Sequence, residues 1–219
     1  MKKLLLALLF AASLFGRDME AVLAAQWFAS VCKVERYKEC RKPHPFWLSH
    51  FTLHGLWPKG RTYCKVDARS KMLDKKGQWT KIPLKLSPEL QELLLYYMPG
   101  ALSGLDRHEW MKHGSCFGDP NLYFITSFSL ISQLNDSKVR EFFEKNRGKV
   151  VQSYKIRRAF DESFGKGAGD RVKVVCKKGY ITELRLYLKG DISPRTPLAD
   201  LLHKARPTRI GCTRGRIGR

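Results

Sequence analysis

The order of apolar and polar positions divides the chain into segments. "AVLAAQWF" (21–28) and "FWLSHFTLHG" (46–55) have strand-like composition, and each is followed by residues that interrupt regular structure. Proline and glycine punctuate "GLWPKG", and the lysine-rich, weakly patterned stretch from Arg61 to Lys85 reads as loop. "SPELQELLLYYM" predicts a helix with Ser87 as N-cap and Pro88 in its first turn, ending at "PG". Ser103 and Asp106 have capping-box spacing at the start of a further helix that carries "HEWMKHGSC" (108–116). "LYFITSFSLISQL", "SKVREFFEKN" and "YKIRRAFDESF" predict more helices. "RVKVVC" and "YITELRLYL" alternate with a period of two, which sets Thr182, Leu184, Leu186 and Leu188 on one face of a strand. Helices gather in the middle and strands at both ends, so the expected class is α+β.

With 219 residues the chain suits one well-buried domain, and no internal repeat or low-complexity linker divides it. A content of 43% hydrophobic, 11% aromatic and 28% charged residues excludes a disordered chain. Residues 1–16, "MKKLLLALLFAASLFG", have the layout of a secretory signal peptide: Lys2 and Lys3, an apolar run, then small residues. The apolar run is shorter than the ~20 residues that span a bilayer. Residues 17–219 are therefore expected to form one exported, soluble domain, periplasmic or secreted, with no membrane contact after the leader is removed.

Export changes the reading of Cys32, Cys40, Cys64, Cys116, Cys176 and Cys212, because oxidising compartments preserve disulfides. No C-x-x-C pair is present, so disulfides are favoured over zinc, but six cysteines allow about 15 pairings. The formal charge is +21, of which Lys2 and Lys3 supply two. Such a field suits a polyanionic partner, although basic residues can also simply keep an exported protein soluble. The C-terminal "HKARPTRIGCTRGRIGR" holds six Lys and Arg and no acid, and reads as a flexible tail or a nucleic-acid-binding arm.

The chemistry concentrates in two places. "HEWMKHGSC" looks at first like the zinc-protease box H-E-x-x-H, but His108 and His113 are five apart. On a helix that separates them by about 140°, too far to share one ion easily. Lys112 falls about 40° and Glu109 about 100° from His108, so one face presents two imidazoles, a carboxylate and an ammonium. A solvated charged face is the bland alternative. In "FTLHGLWP" (51–58), His54 ends an apolar strand at Gly55, where the chain can turn sharply, and Trp57 and Pro58 follow.

Together these segments resemble the two active-site motifs of the ribonuclease T2 family, in the family's order, and "AAQWFASVC" resembles its first strand. The resemblance implies a disulfide-stabilised central antiparallel sheet with helices packed on it. It implies a monomeric endoribonuclease that cleaves single-stranded RNA with low base specificity, without metal or other cofactor, and spares DNA. By resemblance His113 is the base toward the 2′-hydroxyl, His54 the acid toward the leaving oxygen, and His108 a phosphate ligand. Lys112 and Glu109 would stabilise the pentacoordinate state, and Gln26 would touch a base. Trp57 either stacks on a base or packs under the turn. The implied disulfides are Cys32–Cys40, Cys64–Cys116 and Cys176–Cys212, the last anchoring the basic tail. Asp106, Phe28, Lys59 and Tyr187 depart from common family residues, Tyr187 standing where many relatives have a cysteine. The rival from another class is a non-enzymatic cationic protein that binds RNA or other polyanions.

Overall fold

The computed structural model describes residues 18–219; the expected leader lies outside the described residues. β1 (Asp18–Trp27) runs directly into α1 (Phe28–Val34), and α2 (Pro45–Ser49) precedes β2 (Phe51–Pro58). Next come α3 (Ala68–Lys75), α4 (Pro88–Tyr97), α5 (Leu105–Lys112), α6 (Pro120–Asn135) and α7 (Lys138–Lys145). β3 (Val150–Gln152), α8 (Ser153–Phe164), β4 (Val172–Lys177), β5 (Tyr180–Asp191), α9 (Leu198–Lys204) and β6 (Arg214–Arg216) complete the chain. The strands form one sheet in the order β2-β1-β5-β6-β3, with β4 also paired to β5. Its ladders are antiparallel except where β5 meets β6 at Tyr180 and Arg216. The class is α+β, as the element order predicts.

Local signals explain several helix starts. Ser87 accepts from Leu90 N–H at α4, Asp119 from Leu122 N–H at α6, and Ser137 from Val139 N–H at α7. α6 lays Tyr123, Phe124, Phe128, Leu130, Ile131 and Leu134 into the core against the sheet. At its end the Asn135 side chain bonds both Phe51 N–H (2.8 Å) and Phe51 C=O (3.0 Å). That clamp sets the start of β2, the strand that carries His54.

Elsewhere the elements differ from expectation. The first strand stops at Trp27, because Phe28 turns into α1 and packs edge-on to Trp47, ring centroids 5.7 Å apart. The expected strand at 46–55 starts only at Phe51: Pro45 opens α2, with His44 Nδ1 accepting from Phe46 N–H. The expected loop at 61–85 holds α3, a polar helix capped by Asp67, whose weak apolar periodicity hides it from a pattern reading. Ser103 and Asp106 do not form a capping box. Gly104, in the left-handed region at φ 84°, begins α5, Ser103 Oγ donates to Glu39, and buried Asp106 pairs with Arg107 at 2.9 Å.

The C-terminal segment is folded, not a flexible tail. β6 pairs with β3, Ile217 is fully buried, Gly218 N–H donates to Ser30 Oγ (2.7 Å) and Trp27 Nε1 donates to Gly218 C=O (3.2 Å). Disulfides join Cys32 to Cys40, Cys64 to Cys116 and Cys176 to Cys212. The second closes 52 residues, a constraint on the unfolded chain of about 4 kcal/mol. Among the described residues no helix is long and apolar enough to cross a membrane.

Candidate active site

The site forms where β2, β5 and α5 meet, and a bulge in β2 creates it. Ala25 pairs with Leu53 and Ala24 with Gly55, so His54 is the extra residue between them. A bulge of this kind turns the extra residue and its neighbour toward the same side of the sheet. His54 therefore points away from the core side that Leu53 and Leu56 occupy. Gly55 makes no sharp turn, contrary to expectation, since the strand continues to Pro58. Its role is close approach: a Cβ there would lie 2.0 Å from Glu109 Oε2 and 2.6 Å from Trp57 Nε1. Replacing Gly55 by alanine should push the Glu109 carboxylate out of place and lower kcat about tenfold, a 1 Å displacement being worth up to ~100-fold. A kcat equal to wild type would refute this account of Gly55.

Two carboxylates flank His54. Its Nδ1 lies 2.7 Å from Glu183 Oε2 on β5, and its Nε2 lies 3.7 Å from Glu109 Oε1 on α5. Glu183 also accepts from Arg185 Nε at 2.7 Å, and the Arg185 guanidinium lies over Trp57, 5.2 Å from the ring centroid. Trp57 Nε1 donates to Glu109 Oε2 at 2.7 Å, and its ring lies 5.2 Å from the His54 ring and 5.6 Å from that of His113. Trp57 thus both borders the site and fixes a carboxylate.

His108 has its own carboxylate. Its Nδ1–H donates to Asp74 Oδ1 (2.7 Å), Tyr63 O–H donates to Asp74 Oδ2 (2.6 Å), and Trp79 stacks on the imidazole at 4.8 Å. Asp74 belongs to α3, inside the stretch expected to be loop. His113 is the C-cap of α5, with its ring 6.5 Å from that of His108 and perpendicular to it. Its Nδ1 is buried with no hydrogen-bond partner among the described residues. Lys112 ends α5, and its carbonyl accepts from Tyr63 N–H at 2.9 Å. Gln26 sits on β1 between Glu183 and Thr52 in the ladders, so it is part of the same face. The Cys64–Cys116 bond joins the segment after the first motif to the end of the second, with Cα atoms 4.9 Å apart.

These surroundings separate the protonation states. Burial opposes charge on His54, yet the hydrogen bond to Glu183 and the fields of Glu109 and Glu183 outweigh it, and its pKa is raised. Burial would raise Glu183, but His54 and Arg185 hold it below the ordinary carboxylate value, so it accepts the His54 proton as an anion. Burial pushes Glu109 up to about 7, against the pull of His54, the Trp57 N–H and Lys112. Burial, with Lys112, His108 and His54 nearby, pushes His113 down to about 3. Burial also lowers His108 despite its bond to Asp74. His113 is therefore neutral around neutrality, while the partners of His54 favour its charged form.

The structure brings His54, Trp57, Glu109, Lys112, His108 and His113 together, with Gln26 on the adjoining strand. Sequence reasoning missed Glu183, Arg185, Asp74, Tyr63 and Trp79. Glu183 lay in a strand read only for its apolar face, and its odd position in that alternation was the one available signal.

Residues 19–196 match the model of the Ribonuclease T2 family. The chain is 30% identical over 220 residues to ribonuclease I of Escherichia coli (strain K12), which covers 84% of this chain and 80% of that one. Its fold is similar to that of trichomaglin, described as an S-like ribonuclease: TM-score 0.59, 19% identity, 92% of this chain and 97% of the other. The self-incompatibility-associated SF11-RNase of Nicotiana alata aligns with TM-score 0.55 and 20% identity over 92% of this chain and 100% of its own.

Proposed function

The chain belongs to the ribonuclease T2 family, and from that premise we propose a mechanism in which the three imidazoles divide the work according to their partners. The protein is an endoribonuclease of T2 type. The finer reading is metal-independent transesterification of single-stranded RNA with low base specificity. Neutral His113 takes the proton of the 2′-hydroxyl, and that oxygen attacks phosphorus as the bond to the 5′-oxygen breaks. Charged His54 gives its Nε2 proton to the departing oxygen. The products are a 2′,3′-cyclic phosphate and a 5′-hydroxyl end.

Charge accumulating on the phosphoryl oxygens meets Lys112 and His108, the latter oriented by Asp74. Glu109, neutral up to about pH 7, can donate a hydrogen bond to a phosphoryl oxygen where an ionised carboxylate would repel it. Trp57 and Gln26 remain the residues proposed to border the bases. The observation that carries this reading is the unequal partnering of His54 and His113. Glu183 stabilises an imidazolium at one, while burial of His113 Nδ1 without a partner among the described residues favours the free base. Binding a polyanion needs no such division.

We read residues 1–16 as an export leader and 17–219 as one monomeric catalytic domain, periplasmic or secreted. The three disulfides support that reading, since such bonds persist in oxidising compartments. The decisive assay incubates residues 17–219 with RNA and with DNA, each with and without EDTA, followed by end-group analysis. Cyclic phosphate ends from RNA in EDTA, with DNA intact, are the expected result. Intact RNA between mildly acidic and neutral pH would sink the reading, and loss of cleavage in EDTA would sink metal independence.

A further inference from the structure

Burial alternates along β1, β4 and β5, so the sheet has a core face and a partly exposed one. Leu23, Leu56, Val174, Leu184, Leu186 and Leu188 are buried on the first. Val22, Trp57, Lys173, Arg185, Tyr187 and Lys189 are partly exposed on the second. Directly paired residues share a face, and the register orders this one into rows. Trp57, Val22 and Tyr187 form one row, and Gly55, Ala24, Arg185 and Lys173 the next. With strands about 4.8 Å apart, Tyr187 lies roughly 10 Å across the sheet from Trp57, over the small step of Val22. Lys189 follows on the same face, opposite Glu20.

The charge of this face divides along the strands. Asp18 and Asp191 sit opposite each other, both exposed, at its far end. Toward the catalytic residues, Glu183 is bonded to His54 and Arg185, and Glu20 to Lys59 at 2.7 Å. Among the described residues Lys173 and Lys189 are in no salt bridge, so their charge is available to a ligand. An open sheet face that combines aromatic rings with cations suits a single strand, whose bases stack and whose phosphates need neutralising. A rigid duplex has its bases already stacked on one another.

We propose that this open face is a track for nucleotides of a single-stranded RNA beyond the two joined by the cleaved phosphate. Tyr187 stacks a base, and Lys173 and Lys189 neutralise phosphates along it. The track rests on the reading of His54 and His113 as an RNA-cleaving pair, because it is continuous with that site through Arg185 and Trp57. It makes substrate length a determinant of affinity: a dinucleotide meets only the catalytic residues, whereas a longer strand also reaches Tyr187.

The test compares wild type with the triple variant Tyr187→Ala, Lys173→Gln, Lys189→Gln on a dinucleoside monophosphate and on an unstructured RNA of about 30 nucleotides. For the long RNA the variant should raise KM roughly tenfold and flatten the dependence of KM on salt, with kcat little changed. For the dinucleotide kcat/KM should stay within about twofold. Tyr187→Ala and Lys173→Gln alone should each move KM for the long RNA in the same direction, which keeps the test open should the triple variant fold poorly. Equal losses on both substrates, or no loss on the long one, would overturn the track while leaving the cleavage mechanism in place. Wild-type protein that cleaved neither substrate would overturn the mechanism and the track with it.

Discussion

Replacing His113 by alanine is expected to lower kcat on single-stranded RNA by about 10² to 10⁴-fold, the range a positioned general base contributes. His113 is the imidazole pushed down to about 3, so it is unprotonated wherever the enzyme would act and can take the 2′-hydroxyl proton. The same change should do little to stability. The His113 backbone N–H still donates to the Glu109 carbonyl at 3.0 Å, and the side chain contributes a buried Nδ1 without a hydrogen-bond partner among the described residues. Deleting an unsatisfied buried group removes a cost, not a support. Steady-state kinetics and thermal melting on the same preparation separate the outcomes. A folded variant cleaving at the wild-type rate would refute the assigned base, and equal loss of rate and of melting temperature would mark His113 as structural.

Replacing Glu183 by glutamine should lower kcat about 10²-fold at neutral pH, because it removes the anion that orients and charges the proposed acid. The direction with pH follows from the partners. An acid must be protonated, so its contribution is lost as pH rises through its pKa. In the wild type, kcat/KM should therefore rise above about pH 3, as His113 loses its proton, and fall as pH passes about 7, where Glu109 ionises. His54, raised by its hydrogen bond to Glu183, stays charged over most of that window. Without the Glu183 charge, burial and Arg185 draw the His54 pKa down, so the alkaline limb should move to lower pH. Glu183→Asp, which keeps the charge on a shorter arm, should restore the limb in part. An unmoved limb in the glutamine variant would show that Glu183 merely packs beneath His54.

The fold was legible wherever neighbours in sequence decide the structure. Ser87 and Pro88 at the start of α4 and the alternation of Thr182, Leu184, Leu186 and Leu188 on β5 are short-range signals, and the structure contains both. Reading failed where distant contacts outweigh local preference. Phe28 leaves the strand to meet Trp47. The stretch from Arg61 to Lys85 contains α3, whose Asp74 reaches His108 and receives Tyr63 O–H. The basic C-terminal segment looked free because charge is usually solvated, but Ile217 and Gly218 insert beside Trp27 and Ser30.

The candidate site divides along the same line. The order of residues is enough to say which reactive groups are present: His54 beside Trp57, and Glu109, Lys112 and His113 within one turn and a half of helix from His108. Helical spacing also argues against a shared metal for His108 and His113, since it separates residues five apart by about 140°. Which carboxylate serves which imidazole depends on the folded arrangement. Glu183 meets His54 across 129 residues and Asp74 meets His108 across 34, with His113 Nδ1 unpaired among the described residues. The physical reason is that protonation depends on burial and on charges within a few ångströms. Those neighbours are set by strand register, by the β2 bulge and by the packing of α3 on α5, none of which has a period that can be read along the chain.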